Sequence, residues 1–124
     1  MKFIVLGMEK NKRTCVVAAI YTLVTQKCVN SVYDSNNGEY FLFSCQCSFG
    51  RISIYDYKRN NYMQGDVNQL FDYSTSSYIS VQINGDSFSG YDYEKGNYFN
   101  GSINGNNIIL YDYEYFCYFN YYIS

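Results

Sequence analysis

The sequence predicts an all-β protein: an antiparallel up-and-down meander of about 10–12 short strands, built from ~20-residue hairpin repeats and rolled into a flattened barrel or a sandwich. Three observations carry this reading. A nine-residue segment that opens on aromatic–Asp and closes on Tyr–apolar occurs five times. Asn-Gly, the strongest short hairpin signal, stands between neighbouring segments at 84–85 and 104–105. The 124 residues include 17 Tyr and 9 Phe but no Pro and no Trp, a composition of strand formers rather than helix formers.

Residues 1–124 read as a single domain, long enough to bury a core. Residues 1–28 are expected to add one to three strands that close the sheet or cover an edge. "MKFIVLGM" reads as a strand, while 13–26 could instead form a helix capping the open end. Residues 29–124 carry the five segments: YDSNNGEYF (33–41), YDYKRNNYM (55–63), FDYSTSSYI (71–79), YDYEKGNYF (91–99) and YDYEYFCYF (111–119).

In each segment the second aromatic follows the first by seven positions, so Tyr91 should face Tyr98 and Asp92 should face Asn97 across a tight turn. The connections between segments are odd in length, which permits a symmetric hairpin in each. A two-residue turn at Asn104-Gly105 pairs Phe99 with Leu110 and Tyr98 with Tyr111. One at Asn84-Gly85 pairs Ile79 with Gly90 and Tyr78 with Tyr91. The other connections pair Tyr62 with Phe71 and Tyr40 with Tyr55.

Two transverse rows follow. Val32, Phe41, Ile54, Met63, Leu70, Ile79, Gly90, Phe99, Leu110 and Phe119 form an apolar row, with Phe43, Ile52, Val81, Phe88, Gly101 and Ile108 as a second core layer. Tyr33, Tyr40, Tyr55, Tyr62, Phe71, Tyr78, Tyr91, Tyr98, Tyr111 and Tyr118 fall on the opposite face.

Function is less legible. Nine Lys and Arg against eleven Asp and Glu leave a net charge of −2 and no basic footprint, so no nucleic-acid partner is expected. With no His, nucleophile elbow or phosphate loop, the chain reads as non-enzymatic, with no catalytic residue, metal or cofactor assigned.

The five cysteines, with a C-x-C at 45 and 47, lack zinc-ligand spacing. They read as reduced, mostly buried thiols of a cytoplasmic protein. Export is the alternative, because CVVAAIYTLV (15–24) follows Lys10, Lys12 and Arg13 as an h-region follows an n-region. No A-x-A-like site follows it, and the stretch is too short to span a membrane, so no membrane partner is expected.

Asp34, Asp56, Asp72, Asp92 and Asp112 would line one rim. They read as turn formers rather than calcium ligands, since "DSNNGE" and "DYEKGN" place Gly fifth and lack the terminal acid of an EF-hand loop. The candidate binding residues are Tyr40, Tyr55, Tyr62, Tyr78, Tyr91, Tyr98, Tyr111 and Tyr118, a row roughly 40 Å long that exposes a patch near 500 Å². The expected partner is a protein or a second copy of the chain. A carbohydrate is the alternative, and a purely structural aromatic row is the third reading. A flat patch would favour protein, and a groove with convergent polar groups would favour sugar.

Overall fold

A computed structural model describes residues 7–124. It contains a helix, α1 (Lys10–Thr25), and ten strands: β1 (Ser31–Asp34), β2 (Glu39–Ser48), β3 (Arg51–Asp56), β4 (Asn61–Gly65), β5 (Gln69–Asp72), β6 (Ser77–Asn84), β7 (Ser87–Asp92), β8 (Asn97–Asn104), β9 (Asn107–Asp112) and β10 (Cys117–Ile123). Each strand pairs antiparallel with the next, and β10 returns to pair with β1, so the meander is a closed barrel rather than a sandwich.

Closure follows from the pattern of faces. A sheet with one apolar face covers it by curling on itself, and full closure also leaves no unpaired edge. Strict alternation turns Val32, Phe41, Ile54, Met63, Leu70, Ile79, Phe99 and Leu110 into the lumen, where all are buried. Phe43, Ile52, Val81, Phe88 and Ile108 form the second buried layer, as the sequence leads one to expect. Tyr121 and Ile103 join them, although neither belongs to the expected rows.

The register holds at one end of the barrel and shifts at the other. Within the segments, Tyr33 pairs with Tyr40, Tyr55 with Tyr62, Phe71 with Tyr78, Tyr91 with Tyr98 and Tyr111 with Tyr118. Across the connections, Asn104 pairs with Asn107 and Asn84 with Ser87, so the turns centre one residue later than expected. Gly105 and Gly85 then take the first turn position at φ 62° each, a left-handed conformation that glycine adopts without steric cost.

The corrected pairs are Gly101 with Leu110, Asn100 with Tyr111, Ser80 with Tyr91, Gln64 with Phe71 and Ser44 with Tyr55. Gly90 likewise faces Val81 rather than Ile79 on β6. Every shift is an even number of residues, so no side chain changes face. The offsets accumulate around the barrel as the stagger that tilted strands need in order to close.

The largest departure is at the N-terminal end. Residues 1–6 lie outside the described residues, so the strand expected over "MKFIVLGM" is left there. Gly7 to Cys28 contains no strand; its regular element is α1, and α1 runs through the lumen rather than capping an end. Twelve consecutive residues, Lys12 to Leu23, are buried. Near its start Lys12 reaches Asp92 at one mouth, and near its finish the Tyr21 hydroxyl approaches the Gly105 carbonyl in the turn at the other.

Two constraints make this segment helical despite its β-branched residues. A strand inside a closed barrel would find no ladder partner, whereas a helix satisfies its own backbone groups. A ten-stranded barrel of ordinary tilt also has a radius of roughly 10 Å, about the distance at which a helix packs on its neighbours. Ala18 and Ala19 keep the helix slim, and Val16, Val17, Ile20 and Leu23 fill the remaining space.

Burial on every side of α1 yields a test. Ile20→Ala should cost about 2–5 kcal/mol in urea unfolding, the range for emptying a fully packed aliphatic site. A helix lying across one mouth would lose far less.

Candidate functional site

The Tyr-Asp-Tyr sequence is an out–in–out alternation. Its first aromatic faces solvent, its Asp faces the lumen, and its third residue returns to the outside. Tyr57, Tyr73, Tyr93 and Tyr113 are therefore exposed and pack edge-on against the first aromatic, with ring centroids 5.1, 4.8, 4.9 and 5.0 Å from Tyr55, Phe71, Tyr91 and Tyr111. The second aromatic packs on the same ring from the other side: Tyr62 on Tyr55, Tyr78 on Phe71, Tyr98 on Tyr91 and Tyr118 on Tyr111, at 4.7–5.0 Å.

The candidate residues thus form triads separated by polar positions, not one unbroken row. Ser80 stands beside Tyr91, Asn100 beside Tyr111, Gln64 beside Phe71 and Ser44 beside Tyr55. The third aromatics bridge the triads through the backbone, since Tyr73 N–H donates to Tyr62 O, Tyr93 N–H to Tyr78 O and Tyr113 N–H to Tyr98 O. Tyr40 has only Tyr33, because Ser35 stands where the other segments with a third ring carry Tyr. The third aromatics escape the sequence reading because they sit inside what reads as turn. The signal was present: a strand must alternate through the Asp to reach them.

Because the sheet closes, this belt encircles the barrel. A flat 40 Å face does not exist, and any one direction views only a few neighbouring strands.

On the lumen side the five aspartates close one mouth. Each accepts turn N–H groups: Asn36 and Asn37 onto Asp34, Lys58 and Arg59 onto Asp56, Ser74 onto Asp72, Glu94 onto Asp92, and Glu114 onto Asp112, at 2.9–3.3 Å. This is the turn-forming role expected of them. Four residues after each Asp the chain is left-handed, at Gly38, Asn60, Ser76, Gly96 and Phe116.

The carboxylates do more than close turns. Lys12 of α1, 1% exposed, bonds Asp92 at 2.8 Å and Glu94 at 3.2 Å. Arg59 spans Asp56 and Asp72 at 2.7 and 2.8 Å. Its guanidinium is held above its ordinary value: burial works against the charge, but the bonds to Asp72 and Asp56 outweigh it. Asp112 takes the Met8 N–H and the Asn97 amide.

Arg13 lies 3.5 Å from the Phe119 ring centroid and donates to the Tyr121 hydroxyl and the Met8 carbonyl. Lys10 bonds Glu39, whose carboxyl is pushed below its usual range by hydrogen bonds from Lys10 and Lys58. Of the three basic residues, Lys12 and Arg13 have buried partners inside the barrel and Lys10 has its partner at the rim. Among the described residues, no group of three or more His, Cys, Asp or Glu could hold a metal ion. No helix there is long and apolar enough to cross a membrane.

One sector of the wall is concave outside. Gly90 lies opposite Phe99, and Gly101 opposite Phe88. A Cβ on Gly90 would meet the Phe99 ring at 2.4 Å, and one on Gly101 would meet the Phe88 ring at 2.4 Å, so each phenylalanine occupies the space its glycine leaves. Outside these strands runs an open trough of about 800 Å³, floored by Ser80, Gln82 and Ser89, walled by Tyr91, Tyr93 and Tyr98, and reached by Asn68. It continues past Asn84, Ser87 and Asn100. Among the described residues, no charged side chain lines either part. Of the expected site residues the trough gathers Tyr91 and Tyr98; Tyr40, Tyr55, Tyr62, Tyr78, Tyr111 and Tyr118 lie outside its lining.

The thiols are less buried than expected. Cys15 alone is buried, its thiol raised far above the ordinary range chiefly by desolvation, while Cys28 is exposed and Cys45, Cys47 and Cys117 are half-buried. Compared with models of known protein families, with curated proteins and with solved structures, the chain matches none.

Two predictions follow from the closed mouth. Asp34→Asn should be mild, because its partners are turn amides and an asparagine side chain. Asp92→Asn should cost more, about 1.5–3 kcal/mol, since it leaves the buried Lys12 ammonium with Glu94 as its one carboxylate among the described residues, and Lys12→Met in the same chain should recover much of the loss. The second concerns alkali. Burial pushes the Tyr121 phenol up to about 12 from its usual value near 10, although Arg13 draws it down. The fold therefore favours the neutral phenol: its contribution is intact below pH ~10 and lost as pH rises through ~12. Thermal melts from pH 8 to 12 should fall over that window, and less steeply for Tyr121→Phe.

Proposed function

We propose that this barrel is a non-catalytic binding module and that its trough over β6–β8 takes a neutral saccharide. The observation that carries the reading is the lining itself. Three tyrosines stand over a floor of uncharged Ser and Gln, with Asn at either end. Sugars present apolar C–H faces to aromatic rings and hydroxyls to amides and alcohols, and a neutral sugar asks for no charge.

Tyr93 and Tyr98 both pack edge-on against Tyr91, at interplanar angles of 73° and 67°. That packing restrains their rotamers, which lowers the entropic cost of capturing a ligand. Gln64 is bonded to Ser53 and Asn100 to Tyr113, whereas the side chains of Ser80, Gln82 and Ser89 take no such partner among the described residues. Those three are free to bond a ligand.

Binding of a protein or a second copy is the second reading, and exposed aromatics at loop positions favour it. Phe49 is 103% exposed at φ 52° and Phe116 is 80% exposed at the same φ, each a bulky side chain held in a left-handed backbone. Such strain is often kept for function.

A panel of neutral gluco-, xylo-, manno- and N-acetylglucosamine oligosaccharides, screened by calorimetry, tests the first reading. One class should bind, and Tyr98→Ala or Gln82→Ala should each weaken it by about tenfold or more, equivalent to ~1.4 kcal/mol, while the melt stays cooperative. Tyr40→Ala, outside the trough, should change nothing. Silence across the panel, with concentration-dependent self-association lost on Phe49→Ser, would transfer the function to the second reading.

A further inference from the structure

We propose that Cys28 and Cys47 are a redox-responsive pair, oxidised by a low-molecular-weight disulfide such as oxidised glutathione into a bridge that clasps the exit of α1 to the barrel wall. The pair stands at the mouth opposite the aspartates. Cys47 lies near the end of β2 and shares the inward face of that strand with Phe43 and Cys45, while Cys28 lies in the irregular segment between α1 and β1. Their sulfurs are 3.5 Å apart, and the Cys47 thiol also approaches the Gln26 carbonyl at 3.7 Å, so the segment is already folded back over the strand.

Forming a bond from this separation needs a movement of between 1 and 2 Å. Cys28 can supply it, because it is exposed and belongs to no ladder or helix. The other thiols are less well placed. Cys15 is enclosed in the lumen, Cys117 begins β10 at the aspartate mouth, and Cys45, although its thiol also neighbours Cys28, is covered by Thr22 of α1, whose hydroxyl stands 3.8 Å from its sulfur.

The chemistry balances as two exchanges. The Cys28 thiol, pushed up to about 12 by burial and by the neighbouring Cys45 and Cys47 thiols, first loses its proton to a solvent base; the thiolate then attacks the small disulfide, forming a mixed disulfide and releasing one thiolate. The Cys47 thiolate then attacks Cys28 Sγ and expels the second. Two protein thiols and one small disulfide become one protein disulfide and two small thiols, the protons passing to the leaving groups. The bridge would enclose the β1–β2 hairpin and hold the last turn of α1 against β2. The helix that fills the lumen would then be covalently fastened at the end where, among the described residues, no ion pair holds it.

The test uses the full chain, reduced, freed of reductant and incubated with oxidised glutathione. Non-reducing peptide mapping should find a Cys28–Cys47 bridge within single chains. The oxidised protein should melt several degrees higher than the reduced one, and dithiothreitol should reverse the shift. Cys28→Ser and Cys47→Ser should each abolish the bridge and the shift, and Cys117→Ser should keep both. A bridge between other cysteines, glutathione left on Cys28 as a stable adduct, or a bridge without a rise in melting temperature would each overturn the proposal.

Discussion

The fold depends on carboxylates that point inward at the end of a wall whose other inward residues are mostly apolar. An isolated buried charge is too costly to keep, so each aspartate must be met by donors from whatever lies closest. Turn amides supply the first of these, which fixes the backbone of the turn. The filling of the barrel supplies others, through Lys12 and the Met8 amide, which fix where α1 begins along the axis. The same residues that turn the chain back on itself therefore also set the depth of the plug. Arg59 ties two neighbouring turns together, so the mouth is a connected polar layer across an otherwise oily interior.

Much of this architecture was legible in the sequence because period-two alternation admits few solutions. Phe41, Ile54, Ile79, Phe99 and Leu110 could be placed on one face from spacing alone, and the tight turns followed from a constant seven-residue interval. The far register differs from the spacing-based pairing by one turn position at three connections and by two at β2–β3. The Asn-Gly signal centres the loop on Asn104-Gly105, whereas glycine at φ 62° opens a loop that continues into Asn106. Parity protected the faces from that error but not the neighbours across it, and for that reason the tyrosines were expected as one row.

The sequence admits a helix over 13–26 as a cap at the open end; its place in the lumen is hidden for a different reason. A surface helix announces itself by an apolar stripe, but a segment apolar on every side carries no stripe to read. Its β-branched residues argued for strand, and only the absence of a ladder partner inside a closed wall decides otherwise. The trough was also out of reach, since it arises where Gly90 and Gly101 let two phenylalanines into the wall. Glycine in the sequence says that something approaches closely, not from which side. The belt of tyrosines is common to the whole circumference; the trough belongs to one sector, and that asymmetry separates a candidate site from architecture.

The closing pair of strands carries a consequence for how the molecule comes into being. β1 needs both β2 and β10 beside it, Val32 meeting Phe41 on one side and Ile123 on the other. A ribosome delivers α1 first and β10 last, so the helix waits through the synthesis of the whole wall before a lumen exists to receive it. Sixteen residues of such composition make a marginal helix in water, and their apolar surface is then available to any passing chain. Assembly in which the growing meander wraps around that segment, each new hairpin covering more of it, would shorten the exposure. The segment would then act as a mandrel for the barrel as well as its core.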